Sequence, residues 1–226
     1  MARDTILFDI NETVLDLSTL KPKFEAVFDS PDVISIWFTT LLHTSTVSAL
    51  TGIKTGFAIL AGTALDVIAA RRGIILSENQ RSEILGGFAS LKPHSDILPA
   101  LSALRSAGYR TVAFSNSSLD LITNQISNAG LNASFDQIIS VEETGSFKPD
   151  RKVYEFAANH LKRPIGDLRL VATHDWDTHG AMVAGMQAAY IQRGSAPYHP
   201  HFMKPDVYAT DMNKIVKKII REDGQD

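Results

Sequence analysis

Cysteine is absent from all 226 residues. That excludes disulfides, thiolate nucleophiles and zinc–thiolate centres together, and it fits a reducing compartment. Net charge is scarce as well, with 22 Lys and Arg against 25 Asp and Glu, a formal −3. So small a balance points away from nucleic acid or an acidic surface as partner. No basic run exceeds the length of the Lys217-Lys218 pair near the C-terminus, on a helical pattern that reads as a solvated face. There is no internal repeat and no low-complexity stretch. No apolar run reads as long enough to cross a bilayer, so no membrane association is expected. Met1-Ala2-Arg3-Asp4 leads directly into a strand-like run, without the apolar region of a signal peptide. The expectation is a soluble, cytoplasmic protein.

What is present supports a sizeable core. Hydrophobic residues make up 44% of the chain, enough for one α/β domain with an inserted module. Short apolar runs at Thr5–Phe8, Tyr109–Phe114, Gln137–Val141, Leu168–Ala172 and Ala188–Ile191 read as buried strands. Helical spacing fills the gaps at Ser95–Ala107, Leu119–Ala129, Arg151–Leu161 and Thr178–Ala184. Gly108 and Gly130 follow the first two, as helix ends often require. Strand–helix alternation with short links predicts a doubly wound parallel sheet. From about Leu17 to Leu91 the rhythm breaks, and the patterns at 34–50, 56–72 and 78–88 are all helical. Residues 1–16 and 92–226 therefore read as the α/β core domain, and 17–91 as an all-helical cap over the strand tips.

Polar groups follow four of the strands: Asp9, Ser115-Asn116, the loop containing Lys148, and His174-Asp175-Trp176-Asp177. Any one of these alone reads as a loop or capping residue. In an open α/β sheet all four tips converge on one crevice, and together they read as a site.

The segments Phe8 to Asp16, Phe114 to Ser117, Phe147 to Asp150 with Val153-Tyr154, and Val171 to Gly180 resemble, in order and spacing, the four motifs of the haloacid dehalogenase superfamily. The resemblance covers nearly the whole chain and implies that superfamily's Rossmann-like core. Lys148-Pro149-Asp150, Val153-Tyr154-Glu155 and Trp176-Asp177 before Gly180-Ala181 are most similar to the type II L-2-haloacid dehalogenases. The resemblance implies that Asp9 attacks the carbon bearing the leaving group, with inversion, and that water then hydrolyses the ester at the Asp9 carboxyl carbon. It implies that Lys148 keeps Asp9 ionised and that Asp177 positions or activates the water. Thr13, Ser115 and Asn116 would donate hydrogen bonds to the substrate carboxylate or to Asp9. Tyr154 reads either as a hydrogen-bonding member of the site or as a packing residue. His174 reads either as a structural ring or as a neutral base near pH 7.

Superfamily phosphatases place a second Asp two residues after the nucleophile, where this chain has Asn11, which cannot donate and recover a proton. Their metal-binding acids fall at Ala172 and Thr173 here. A substrate without a phosphoryl group, no cofactor and no metal are therefore expected. The lid arginine that cradles halide in type II enzymes is replaced at Trp37-Phe38, leaving Asn11, Trp37 and Phe38 as candidates to receive the leaving group. The expected reaction is hydrolysis of a short (S)-2-haloacid or related carboxylate. The alternatives are a small-molecule phosphatase, a hydrolase with a non-halide leaving group, and an idle carboxylate-binding relative. The resemblance also implies a possible homodimer through lid helices.

Overall fold

A computed structural model describes residues 4–223. The ends of the expected core domain, residues 1–3 and 224–226, lie outside the described residues. In chain order the elements are β1 (Thr5–Phe8), β2 (Leu15–Asp16), α1 (Lys21–Phe28), α2 (Val33–Thr51), α3 (Phe57–Arg71), α4 (Glu78–Phe88), β3 (Lys92–Pro93) and α5 (Ile97–Ser106). They continue with β4 (Arg110–Ser115), α6 (Leu119–Asn128), β5 (Gln137–Ser140), α7 (Arg151–Leu161), β6 (Leu168–Ala172), α8 (Asp175–Ala184), β7 (Gln187–Ile191), β8 (Val207–Ala209) and α9 (Met212–Asp223).

Six strands form one sheet in the order β5-β4-β1-β6-β7-β8, and every pairing is parallel. All residues of β1 and β6 are buried, because helices cover both faces of a parallel sheet and leave no polar side. β1 is central. Phe8 stands opposite Ala113 on one side and Val171 on the other, so the chain leaves β1 between the tips of β4 and β6. That is the switch point of a doubly wound sheet, where ligands bind.

β2 and β3 pair antiparallel, Leu15 with Pro93 and Asp16 with Lys92. This two-stranded neck brackets four helices, α1 to α4, which form the inserted helical cap. Local chemistry sets their ends. Pro22 occupies the first turn of α1, where its missing N–H costs nothing. Ser77 and Gln80 form a reciprocal capping box at the start of α4. In the core, Ser118 caps α6 and Asp150 caps α7.

The neck strands β2 and β3 are not among the five predicted, and two further features depart from the sequence reading. β8 is a strand of three residues on the sheet edge, too short to show alternation. α2 is, by length and composition, apolar enough to cross a membrane, against the expectation that no run approaches that length. In the fold it forms a wall of the cap, with Val33, Ile34, Trp37, Phe38 and Leu41 buried. Trp37 packs against Phe24 and Phe88 at ring separations of 5.4 and 5.6 Å.

Candidate active site

Asp9 is the first residue after β1, and its backbone N–H donates to the Val171 carbonyl of β6 at 3.0 Å. The carboxylate is buried, 6% exposed, and both of its oxygens are held. Oδ1 accepts from Lys148 Nζ at 3.2 Å and Oδ2 from the Thr13 hydroxyl at 2.7 Å. Thr13 is itself fixed, its oxygen accepting from the Thr173 N–H at 2.9 Å. Burial pushes the Asp9 carboxyl up, but the Lys148 charge, His174 and Thr13 outweigh it and hold Asp9 at about 2.

Lys148 is buried to 1% exposure. An ammonium has three donors, and all three are used: on Asp9, on Asp177 Oδ2 at 2.9 Å, and on the Phe114 carbonyl at 3.0 Å. Its nitrogen also stands 4.4 Å from the centre of the Phe114 ring. Burial disfavours its charge, yet Asp177 and Asp9 raise it above the ordinary lysine value. Asn116 fixes the loop from the other side, its amide oxygen accepting from the Lys148 backbone N–H at 2.9 Å. The Ser115 hydroxyl oxygen accepts from the Ser117 N–H.

Asp177 lies in the first turn of α8 and is fully buried. Its second oxygen accepts from the Tyr154 hydroxyl at 2.7 Å. Burial and the neighbouring Asp9 charge push Asp177 up, with Lys148 and Tyr154 opposing. Burial also lifts the Tyr154 phenol well above its ordinary value. Gly180 permits this assembly. A Cβ there would fall 2.6 Å from Pro149 Cβ and 2.8 Å from the Tyr154 oxygen, so only glycine lets α8 approach the lysine loop.

The expectations for Trp37 and His174 are corrected. Trp37 cannot serve a leaving group, because its indole N–H donates to the Ala61 carbonyl at 2.9 Å inside the cap. Asn11 is not displaced as a candidate: its NH₂ donates to Ser117 at 3.3 Å and its oxygen accepts from Gln125 at 3.1 Å, which uses one of two amide donors. Tyr154 keeps its hydrogen-bonding reading, donating to Asp177 within the site. His174 is no neutral base. Its Nε2 is 2.9 Å from Glu12 Oε2, and its Nδ1 is 3.3 Å from Asp9 Oδ2, an ion-pair distance without hydrogen-bond alignment. Burial lowers its affinity for a proton, but the two carboxylates win and raise it to about 10. The two carboxylates favour its protonated form, and the ring is stacked on Trp176 at 5.1 Å and stands 6.1 Å from the Phe38 ring.

Glu12, Gln125, His94 and Arg193 were missed by sequence reasoning. Arg193 follows β7 closely, a position that could have marked it. Its guanidinium donates to the Thr13 carbonyl and to Asp96. His94 contacts the Glu12 carbonyl at 3.0 Å.

The donor set does not fit magnesium, the metal of superfamily phosphatases. Among the described residues no cluster of His, Asp and Glu has metal-binding geometry. The Asp9 and Asp177 carboxylates are already bridged by the Lys148 ammonium, a resident cation between them. Ala172 and Thr173 offer no carboxylate.

The chain is 26% identical over 217 residues to (S)-2-haloacid dehalogenase 1 of Pseudomonas sp. (strain CBS-3), covering 95% of this chain and 96% of that protein. It is 28% identical over 202 residues to the (S)-2-haloacid dehalogenase of Pseudomonas putida, covering 88% and 89%. Its fold matches the L-2-haloacid dehalogenase of Xanthobacter autotrophicus, a structure with chloropropionic acid covalently bound, at a TM-score of 0.89 and 21% identity, covering 96% and 98%. The family model described as haloacid dehalogenase-like hydrolase matches residues 3–168. With a strand-tip carboxylate held by a buried lysine, and that match over most of its length, the chain belongs to the haloacid dehalogenase-like hydrolases.

Proposed function

We propose that this protein hydrolyses short (S)-2-haloacids to the inverted 2-hydroxyacids through an ester on Asp9, without a metal. The observation that carries the reading is the Asp9 carboxylate, buried and kept ionised at about 2 beside Lys148, with Asn11 where a phosphatase needs an acid. A desolvated, oriented carboxylate is a competent nucleophile toward carbon. Asp9 forms a bond to C2 from the face opposite the halogen, and the carbon–halogen bond breaks with its electron pair leaving as halide. Water then adds to the Asp9 carboxyl carbon. Asp177, whose affinity for a proton is raised, takes the proton from that water. The alkoxide leaves, recovers that proton from Asp177 and departs as the 2-hydroxyacid, and the Asp9 carboxyl releases the water's second proton to solvent, regenerating the carboxylate.

In this reading residues 17–91 act as a cap that excludes water during the first step. The Asn116 amide NH₂ and the Ser115 hydroxyl serve as donors to the substrate. The names of the relatives support the substrate class. A homodimer through the cap is part of the same proposal, supported by the exposed apolar side chains Leu50, Ile53, Ile59 and Ile75. Sedimentation at micromolar concentration tests it, and a monomer would refute it.

The experiment for the activity is a halide-release screen of short 2-haloacids with and without exhaustive chelation. Chloride release from (S)-2-chloropropionate, insensitive to chelator and giving (R)-lactate, is the expected outcome. Turnover that disappears on chelation and returns with magnesium would refute the metal-free mechanism. Activity on a phosphoester, with none on any haloacid, would favour the phosphatase reading.

A further inference from the structure

Asp9 is nearly closed off, 6% exposed. Two cavities of about 340 and 440 Å³ lie at the boundary of cap and core, and neither is lined by Asp9, Lys148 or Asp177. Both are lined by Glu12, Ser35 and His174. The Glu12–His174 ion pair therefore stands between the nucleophile and each entrance. The larger cavity is also walled by Phe38 and Trp176, the rings that flank His174.

The backbone of Glu12 is fixed while its side chain is free to leave. Its φ is 64°, in the left-handed region that favours glycine. Its N–H donates to the Leu15 carbonyl and its own carbonyl contacts His94. The carboxylate is 38% exposed, and its one hydrogen-bond and ion-pair partner among the described residues is His174. Side-chain rotation would release it into solvent without disturbing the main chain.

Charge decides what can replace it. Around the nucleophile, Asp9, Asp177 and Glu12 present three carboxylates to two cations, Lys148 and His174; the smaller cavity outside them is also lined by Asp16, by Lys21 and by Arg193, which is paired with Asp96. Lys148 has no donor left. An anionic substrate arriving with Glu12 in place would make four carboxylates against these two cations, with Asp9, Asp177 and Lys148 buried, which is unfavourable. Exchange of one carboxylate for another keeps the count at three.

We propose that Glu12 is a built-in stand-in for the substrate carboxylate: it closes the site by occupying His174 Nε2, and a short carboxylate enters by displacing it and binding His174 in its place. His174 is then the specificity residue for the anionic end of the substrate, and Glu12 the gate. The proposal rests on the reading of the substrate as a short carboxylate.

Calorimetric titration with propionate, which has no leaving group, tests it apart from turnover. Glu12→Gln and Glu12→Gly remove the competing charge, and glycine suits the backbone at this position. Each is expected to tighten propionate binding by about tenfold or more, since a closed fraction no longer reduces the apparent affinity. His174→Gln is expected to weaken propionate binding, and the Glu12→Gln/His174→Gln double variant to show none of the gain. Propionamide, being uncharged, should bind equally to wild type and both Glu12 variants. Unchanged or weaker propionate binding in both Glu12 variants, or a gain that survives loss of His174, would overturn the gate. Chloride release from 2-chloropropionate is measured in parallel. Release without the propionate effect overturns the gate alone, and the propionate effect without release overturns the dehalogenase reading alone.

Discussion

Replacing Lys148 with Met removes the ammonium while nearly preserving its volume, and the consequences follow from the charges around it. Lys148 is 1% exposed and bridges Asp9 and Asp177 at 3.2 and 2.9 Å. Without it two buried carboxylates face each other with no counter-charge from that side. Breaking a buried pair by removing one partner costs about 3–5 kcal/mol. For a chain of this length that lowers the melting temperature by about 6–20 °C. The dependence on pH should also change. In the wild type the Asp9 carboxyl is depressed to about 2, so its contribution to stability is present above pH 4 and is lost only as pH falls through about 2. In the variant, burial and mutual repulsion raise the carboxyls. The folded state then binds a proton that the unfolded state has released, and stability rises as pH falls from 8 toward 5. Urea unfolding at pH 5, 6.5 and 8 measures both effects, and turnover is expected to vanish. A Lys148→Met protein within 1 kcal/mol of wild type at pH 8, with no dependence on pH, would refute the assignment of Lys148 as the counter-charge.

Asp9→Asn is expected to abolish turnover and keep the fold, and a single wild-type turnover in ¹⁸O water should label Asp9 before product. Label appearing directly in product would mean that water attacks the substrate itself. Tyr154→Phe removes the 2.7 Å hydrogen bond to Asp177, worth about 1.5–3 kcal/mol for a charged acceptor, so ester hydrolysis should slow by about tenfold or more while ester formation is spared. Rapid-quench detection of an accumulating enzyme ester checks this, and equal slowing of both steps would exclude a role confined to Asp177. Gly180→Ala places a methyl against Pro149 and the Tyr154 hydroxyl and should cost about 1–3 kcal/mol by overpacking, with activity falling more than stability. Thermal melts and chloride release together report it, and an unaffected variant would show that the lysine loop yields freely. For His174, raised to about 10 by Asp9 and Glu12 against burial, the contribution to stability is full below about pH 6.5 and is lost as pH rises through about 10. The difference in melting temperature between wild type and His174→Gln should shrink over that window, and a difference constant to pH 10 would contradict the ion pairing.

The sequence by itself determined the sheet, the inserted helices and the line of groups that meet at Asp9. These are local signals. Apolar runs marked Thr5–Phe8 and Leu168–Ala172 at their observed bounds, and a parallel sheet carries the tips of its strands to one edge whatever lies between them. Asp9, Lys148 and Asp177 follow strands closely enough that order along the chain placed them together. Only the tertiary structure decided which polar groups are available. Trp37 gives its N–H to a carbonyl 24 residues away. Asn11 is tied to Ser117 and Gln125, at separations of 106 and 114 residues. The protonated form of His174 is favoured because Glu12, 162 residues distant, turns its carboxylate onto it from a left-handed backbone. Periodicity reports which face of an element is buried and nothing about which donor meets which acceptor. That pairing sets the charge of His174 and the closure of the site, and it exists only once the chain has packed.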